Sequence, residues 1–111
     1  MNDLLKKQTK VQDSVVLELA GDIDMNCSNL MREILMDAFE SKPEALILDF
    51  SAVTFMDSSG LATLVEALQT SRKEKISLRL VGLQSQVKSL FEIARLDQLF
   101  ELFDSQEEAL K

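Results

Sequence analysis

At 111 residues, with 46% hydrophobic and 28% charged residues, the chain has the make-up of one globular domain and none of the bias of a disordered segment. Its formal net charge of −7 leaves no basic stripe for nucleic acid and opposes contact with anionic membrane surfaces. Histidine is absent and Cys27 is the single cysteine, which excludes an internal disulfide, the usual zinc and copper sites and any histidine-dependent catalytic triad. No signal-peptide pattern opens the sequence and no apolar run is long enough to span a bilayer, so a reducing cytoplasm is the expected setting.

In chain order, Leu5, Thr9 and Val11 alternate with polar positions and predict an edge strand. Gln12, Asp13 and Ser14 supply turn chemistry. Val15, Leu17 and Leu19 then face one side of a second strand, with Val16 and Glu18 on the other, so the two strands form a hairpin. Gly21-Asp22-Ile23-Asp24 is expected to break that strand, and Asp24 or Asn26 to cap the helix that follows. Cys27, Leu30, Met31, Ile34, Leu35 and Ala38 recur at helical spacing, and Lys42-Pro43 ends the helix.

Ala45 to Phe50 is uninterrupted in its apolar character apart from Asp49, the pattern of a strand covered on both faces and hence central to a sheet. Ser51 to Met56 is expected to link it to a serine-containing loop, with Val53 and Phe55 turned inward. Leu61, Leu64, Val65 and Leu68 mark the next helix, and Ser71 to Lys75 a short charged connection. Ile76, Leu78 and Leu80 alternate as a strand; Ser85 is a candidate cap for a third helix carrying Val87, Leu90, Phe91 and Ala94. Leu99 to Phe103 predicts a last strand, and Asp104-Ser105-Gln106-Glu107 a capping box for a terminal helix. Methionines 25, 31, 36 and 56 and most of the phenylalanines are expected in the core. Strands alternating with helices imply an α/β single domain over residues 1–111, a mixed sheet of about five strands with about four helices, mostly parallel apart from the N-terminal hairpin strand.

The stretch with chemical content is Asp57-Ser58-Ser59-Gly60, between the central strand and a helix. Hydroxyls on rigid elements at a helix N-terminus suit anion binding or modification. As a nucleophile the pair has little support. The Gly-x-Ser-x-Gly elbow is missing, no histidine exists, and no lysine lies near in sequence, so no enzyme activity is expected. Asp22, Asp24 and Asp57 could converge on Mg²⁺, but caps and turns account for Asp24 and Asp57 more simply. Gly60 stands without a nucleotide-binding glycine pattern, and no cofactor is expected. A phosphate on such a serine would bring about −1.5 to −2 charge. The helix dipole would favour it by ~0.3–1 kcal/mol. No Lys or Arg occurs between Lys42 and Arg72 to clamp it, so its effect would fall on a partner, by repulsion and exclusion.

Val53-Thr54-Phe55-Met56-Asp57-Ser58-Ser59-Gly60-Leu61 closely resembles the signature of bacterial anti-sigma factor antagonists, members of the wider STAS domain class. Gly21-Asp22-Ile23-Asp24 resembles that family's Gly-acidic-aliphatic-Asp segment. The resemblance implies a STAS fold and two partners, an anti-sigma factor with serine kinase activity and a serine phosphatase. It implies that the unmodified protein binds the kinase and so releases a sigma factor, and that phosphorylation of Ser58 ends binding. Carried over by position, Asp22, Asp24, Asp57, Ser58, Ser59, Gly60 and Leu61 form the partner-binding set. Ala62 stands where many members have glycine. STAS domains also serve in lipid-transport and stress-sensing assemblies, some without phosphorylation, and that is the alternative the resemblance leaves.

Overall fold

In a computed structural model describing residues 4–111, five strands form one sheet in the order β1-β2-β3-β4-β5. Residues 1–3 of the expected domain lie outside the described residues. β1 (Leu5–Val11) pairs antiparallel with β2 (Ser14–Ile23) across a turn at Gln12 and Asp13. β3 (Ala45–Met56) runs parallel to β2, β4 (Ser77–Val81) parallel to β3, and β5 (Glu101–Phe103) parallel to β4. The helices α1 (Ser28–Glu40), α2 (Ser58–Glu74) and α3 (Ser85–Ile93) fill the three parallel crossovers, and α4 (Gln106–Ala109) follows the last strand. This is the mixed α/β architecture that the alternation of patterns implied.

Because the strand order advances in one direction, right-handed crossovers carry α1, α2 and α3 to the same side of the sheet. There Met31, Leu35, Leu64, Val87 and Phe91 pack on Leu17, Leu46, Leu48 and Leu80 in the main core. Phe91 meets Phe100 edge to face, with ring centroids 5.4 Å apart. The other face carries a smaller cluster of Val16, Ile47 and Val81, covered by Ala109 of α4. Leu46, Ile47, Leu48 and Phe50 are all fully buried, so β3 lacks alternation for the reason inferred: both of its faces are covered.

Several boundaries differ from expectation, and most of the differences lie around the serine loop. Gly21 does not end β2. At φ +86° it takes a conformation that favours glycine, and the strand continues through register shifts to Ile23. That extension gives the Ser51–Met56 stretch a partner. Ala20 lies opposite Ala52, Gly21 opposite Val53, Asp22 opposite Phe55 and Ile23 opposite Met56, so the supposed link is the second half of β3. The shifts also disturb inside-outside alternation: Val53 is buried as expected, whereas Phe55 is 48% exposed. Neither Asp24 nor Asn26 caps α1, because Cys27 takes the N-cap position without a side-chain bond. Met25, expected in the core, is 74% exposed on the loop before that helix.

Beyond the loop, α2 includes Ser71 to Glu74, the expected connection, and stops where Lys75 adopts the left-handed conformation at φ 60°. Gln84 rather than Ser85 is the N-cap of α3, and Ala94 is an exposed C-cap. β5 is shorter than expected because Phe100 is buried ahead of it, in contact with Phe91. Ser105 caps α4 by accepting from the Glu108 N–H at 3.2 Å, and the Glu108 carboxylate accepts from the Asp104 N–H at 3.3 Å. Among the described residues no helix is long and apolar enough to cross a membrane.

Candidate functional site

At the C-terminal end of β3 the chain turns directly into α2, and Asp57 is the single residue between them. Its backbone is extended, and its carboxylate draws the surrounding segments together. Oδ1 accepts from the Ser59 N–H at 2.9 Å, the Ser59 hydroxyl at 2.6 Å and the Gly60 N–H at 3.2 Å. Those donors are among the backbone groups that a helix start leaves without partners. Oδ2 accepts from the Met25 N–H at 3.2 Å, which joins the loop before α1 to the start of α2. The Asp57 N–H in turn donates to the Ile23 carbonyl at 3.1 Å. The Ser59 hydroxyl, with support from the Gly60, Ser59 and Met25 N–H groups, outweighs partial desolvation and holds the Asp57 carboxyl below the ordinary carboxylate range. Asp57 is therefore ionised at neutral pH.

The two serines have different surroundings. Ser59 is half-buried: its hydroxyl is committed to Asp57, and its carbonyl accepts from the Thr63 hydroxyl at 3.0 Å. Ser58, the first residue of α2, is exposed, and its hydroxyl has no partner among the described residues. Gly60 is buried for a steric reason. A Cβ there would sit 2.8 Å from Ile23 Cγ2, 2.9 Å from Met56 Cγ and 3.0 Å from the Ile23 carbonyl oxygen. Only a residue without a side chain lets α2 begin this close to the end of β2. Leu61 is also buried, and its N–H donates to the Asp57 carbonyl at 3.1 Å. Gly60 and Leu61 thus shape the loop from beneath and leave Ser58 on top.

The aspartates of the Gly21 segment stand beside it. Asp22 is exposed and accepts from the Thr54 hydroxyl at 3.0 Å, a bond across the β2–β3 extension. Asp24 turns back on its own loop, accepting from the Asn26 N–H at 2.9 Å. Beneath them the buried Cys27 thiol donates to the carbonyls of Asp22 and Asp24. Each of these carboxylates is engaged separately, and among the described residues no three His, Cys, Asp or Glu side chains are grouped to hold a metal ion. The seven residues picked out by sequence do gather at this end of the sheet. Sequence reasoning missed Met25, Phe55 and Thr54, which belong to the same surface. The apolar character of the first two pointed to the core, and only the register shift in β2–β3 turns Phe55 out.

The STAS domain family profile matches residues 6–109, and the chain belongs to that family. Among its relatives is an anti-sigma-B factor antagonist of Listeria monocytogenes, 31% identical over 104 residues, covering 92% of this chain and 90% of the relative. Another is the anti-sigma-F factor antagonist RsfB of Mycobacterium tuberculosis, 31% identical over 97 residues, covering 86% of this chain and 77% of the relative. In three dimensions the fold is similar to a crystal structure of an anti-sigma factor antagonist from Mycobacterium paratuberculosis. The TM-score is 0.85 at 25% identity, covering 94% of this chain and 88% of that one.

Proposed function

We propose that this chain is a phosphorylation-controlled binding protein of the cytoplasm. Its unmodified form binds an anti-sigma factor with serine kinase activity and thereby frees a sigma factor. Phosphorylation of Ser58 ends that binding, and a serine phosphatase restores it. The chain acts as substrate and ligand, not as an enzyme. The observation that carries the reading is the contrast between the serines: the Ser58 hydroxyl is exposed and without a partner among the described residues, while the Ser59 hydroxyl is tied to Asp57. The relatedness to anti-sigma factor antagonists supports the choice of partner.

The local chemistry supports a switch that acts on the partner. The Ser59 and Gly60 N–H groups, which could otherwise receive an anion at the start of α2, already serve Asp57. A phosphate on Ser58 would add about −1.5 to −2 charge beside an ionised carboxylate, with no vacant cradle of its own. It would project from the surface and leave the domain unchanged. A kinase that modifies Ser58 has to bring its nucleotide phosphates up to that hydroxyl. Once Ser58 carries a phosphate, like charge and added bulk occupy the same space, and the docked arrangement is lost.

The test is incubation with the source organism's anti-sigma factor and ATP, followed by mapping of the phosphate by mass spectrometry. Modification is expected on Ser58 alone, to be lost in Ser58→Ala and to persist in Ser59→Ala. Phosphate on Ser59, or phosphorylation of Ser58→Ala, would refute the assignment.

A further inference from the structure

Two large apolar side chains on the segments that meet at Asp57 are left outside the core. Met25 is 74% exposed and Phe55 48%. The frame around Asp57 holds both in place. The Met25 N–H is bonded to Asp57 Oδ2, and Phe55 lies level with Asp22 in the β2–β3 register, two residues before Asp57. The hydrogen bond from Thr54 to Asp22 ties the strand ends together at that level. Exposed apolar side chains on a rigid frame, rimmed by polar groups, have the make-up of the centre of a protein interface.

The segments that carry them are acidic: Asp22, Asp24 and Asp57 are their neighbours along the chain, and residues 21–31 and 51–71 contain no lysine or arginine. Lys6 of β1 stands further back along the sheet, in a cleft with Glu18, Asp49, Ser51 and Ala52, where it faces Asp49. Arg32, the next cation along the chain, is paired with Glu66 across α1 and α2. An occupant complementary to this surface offers apolar space at its middle and positive charge at its edge. We propose that Phe55 and Met25 are the apolar anchors on which a protein partner docks over Ser58, and that the partner's recess is edged with lysine or arginine side chains facing Asp22 and Asp24. The inference rests on the reading of the Ser58 loop as a partner-binding site. It assigns affinity to side chains flanking the serine and leaves the serine the role of switch.

The test is calorimetric titration of the full chain with the source organism's anti-sigma factor, for wild type, Phe55→Ser, Met25→Ser and Ile93→Ser. Ile93 on α3 is 82% exposed and serves as an apolar surface residue outside the loop cluster. Phe55→Ser is expected to weaken binding by about thirtyfold and Met25→Ser by about fivefold, with Ile93→Ser within about twofold of wild type. Phe55→Leu, which keeps an apolar side chain on the strand, should recover most of the affinity. Raising salt from about 50 to about 500 mM should weaken wild-type binding several-fold through screening of the rim. Phe55→Ser and Met25→Ser binding like a wild type that is itself bound and phosphorylated on Ser58 would overturn the anchors and leave the proposed function intact. Salt-independent binding would overturn the basic rim. A wild type that neither binds nor is phosphorylated would overturn both readings.

Discussion

Asp57 decides the geometry of the serine loop. A carboxylate accepting three N–H groups and one hydroxyl is stabilised in its charged form, and its protonation is coupled to the loop's integrity. Its acidity in the folded chain is raised, so its contribution to stability is complete above the ordinary Asp pKa of about 3.9 and is lost as pH falls below that value. Urea titrations of wild type and Asp57→Ala should therefore differ at pH 7, with wild type more stable, and converge as the pH drops into the acid range. A gap that persists unchanged below the ordinary carboxylate range would show that the charge of Asp57 is not what stabilises the loop. Ser59→Ala, which removes the hydroxyl that Asp57 accepts, should also lower the urea midpoint. Ser58→Ala, which removes a hydroxyl with no partner among the described residues, should leave it within about 0.5 kcal/mol of wild type.

Between elements, the contact that matters is the start of α2 against the end of β2. Gly60 lets the helix approach Ile23 and Met56 to distances that a methyl group would close. Gly60→Ala should cost ~1–3 kcal/mol by overpacking, read as a lower urea midpoint, with the loop displaced even where the fold survives. The existence of every element was legible in the sequence, because hydrophobic period and turn residues carry that information locally. The extents of β2 and β3 were not. Gly21 reads as a strand end in isolation, yet within the sheet it is accommodated by a bulge, and each extension exists because the other provides its hydrogen-bond partners. The same non-local pairing hid Phe55 from a reading based on hydrophobicity, and Met25 was hidden because it falls on the loop before α1, not on the helix face. The serine loop, by contrast, stood out in the sequence as a local Asp-Ser-Ser-Gly pattern, though it was the family resemblance that singled out Ser58 from Ser59.

Across the whole molecule, the sheet grows in one direction from β1 to β5, so that three helices share one face and β3 lies at its centre. The serine loop is held from this placement, since β3 is covered on both faces and paired along both edges over Ala45–Asp49 and stays paired with β2 up to Met56, directly before Asp57. Leu48, fully buried in β3, should therefore be a strong determinant of stability: Leu48→Ala is expected to cost ~2–5 kcal/mol. At about 4–8 °C per kcal/mol for a domain of this size, that is a fall in Tm of at least about 8 °C. Ile93→Ala on the exposed surface should leave the Tm nearly unchanged. In the proposed function, a domain built in this way presents its modifiable hydroxyl without changing shape, and regulation would fall on the contact with a partner.

That claim is tested most directly by the affinity of the anti-sigma factor for the chain carrying phosphate on Ser58, compared with the unmodified chain, by calorimetry under identical conditions. The phosphorylated chain should melt at nearly the same temperature as the unmodified one and bind at least about a hundredfold more weakly, a difference of about 2.7 kcal/mol in binding free energy. Equal affinity of the two forms would contradict the account.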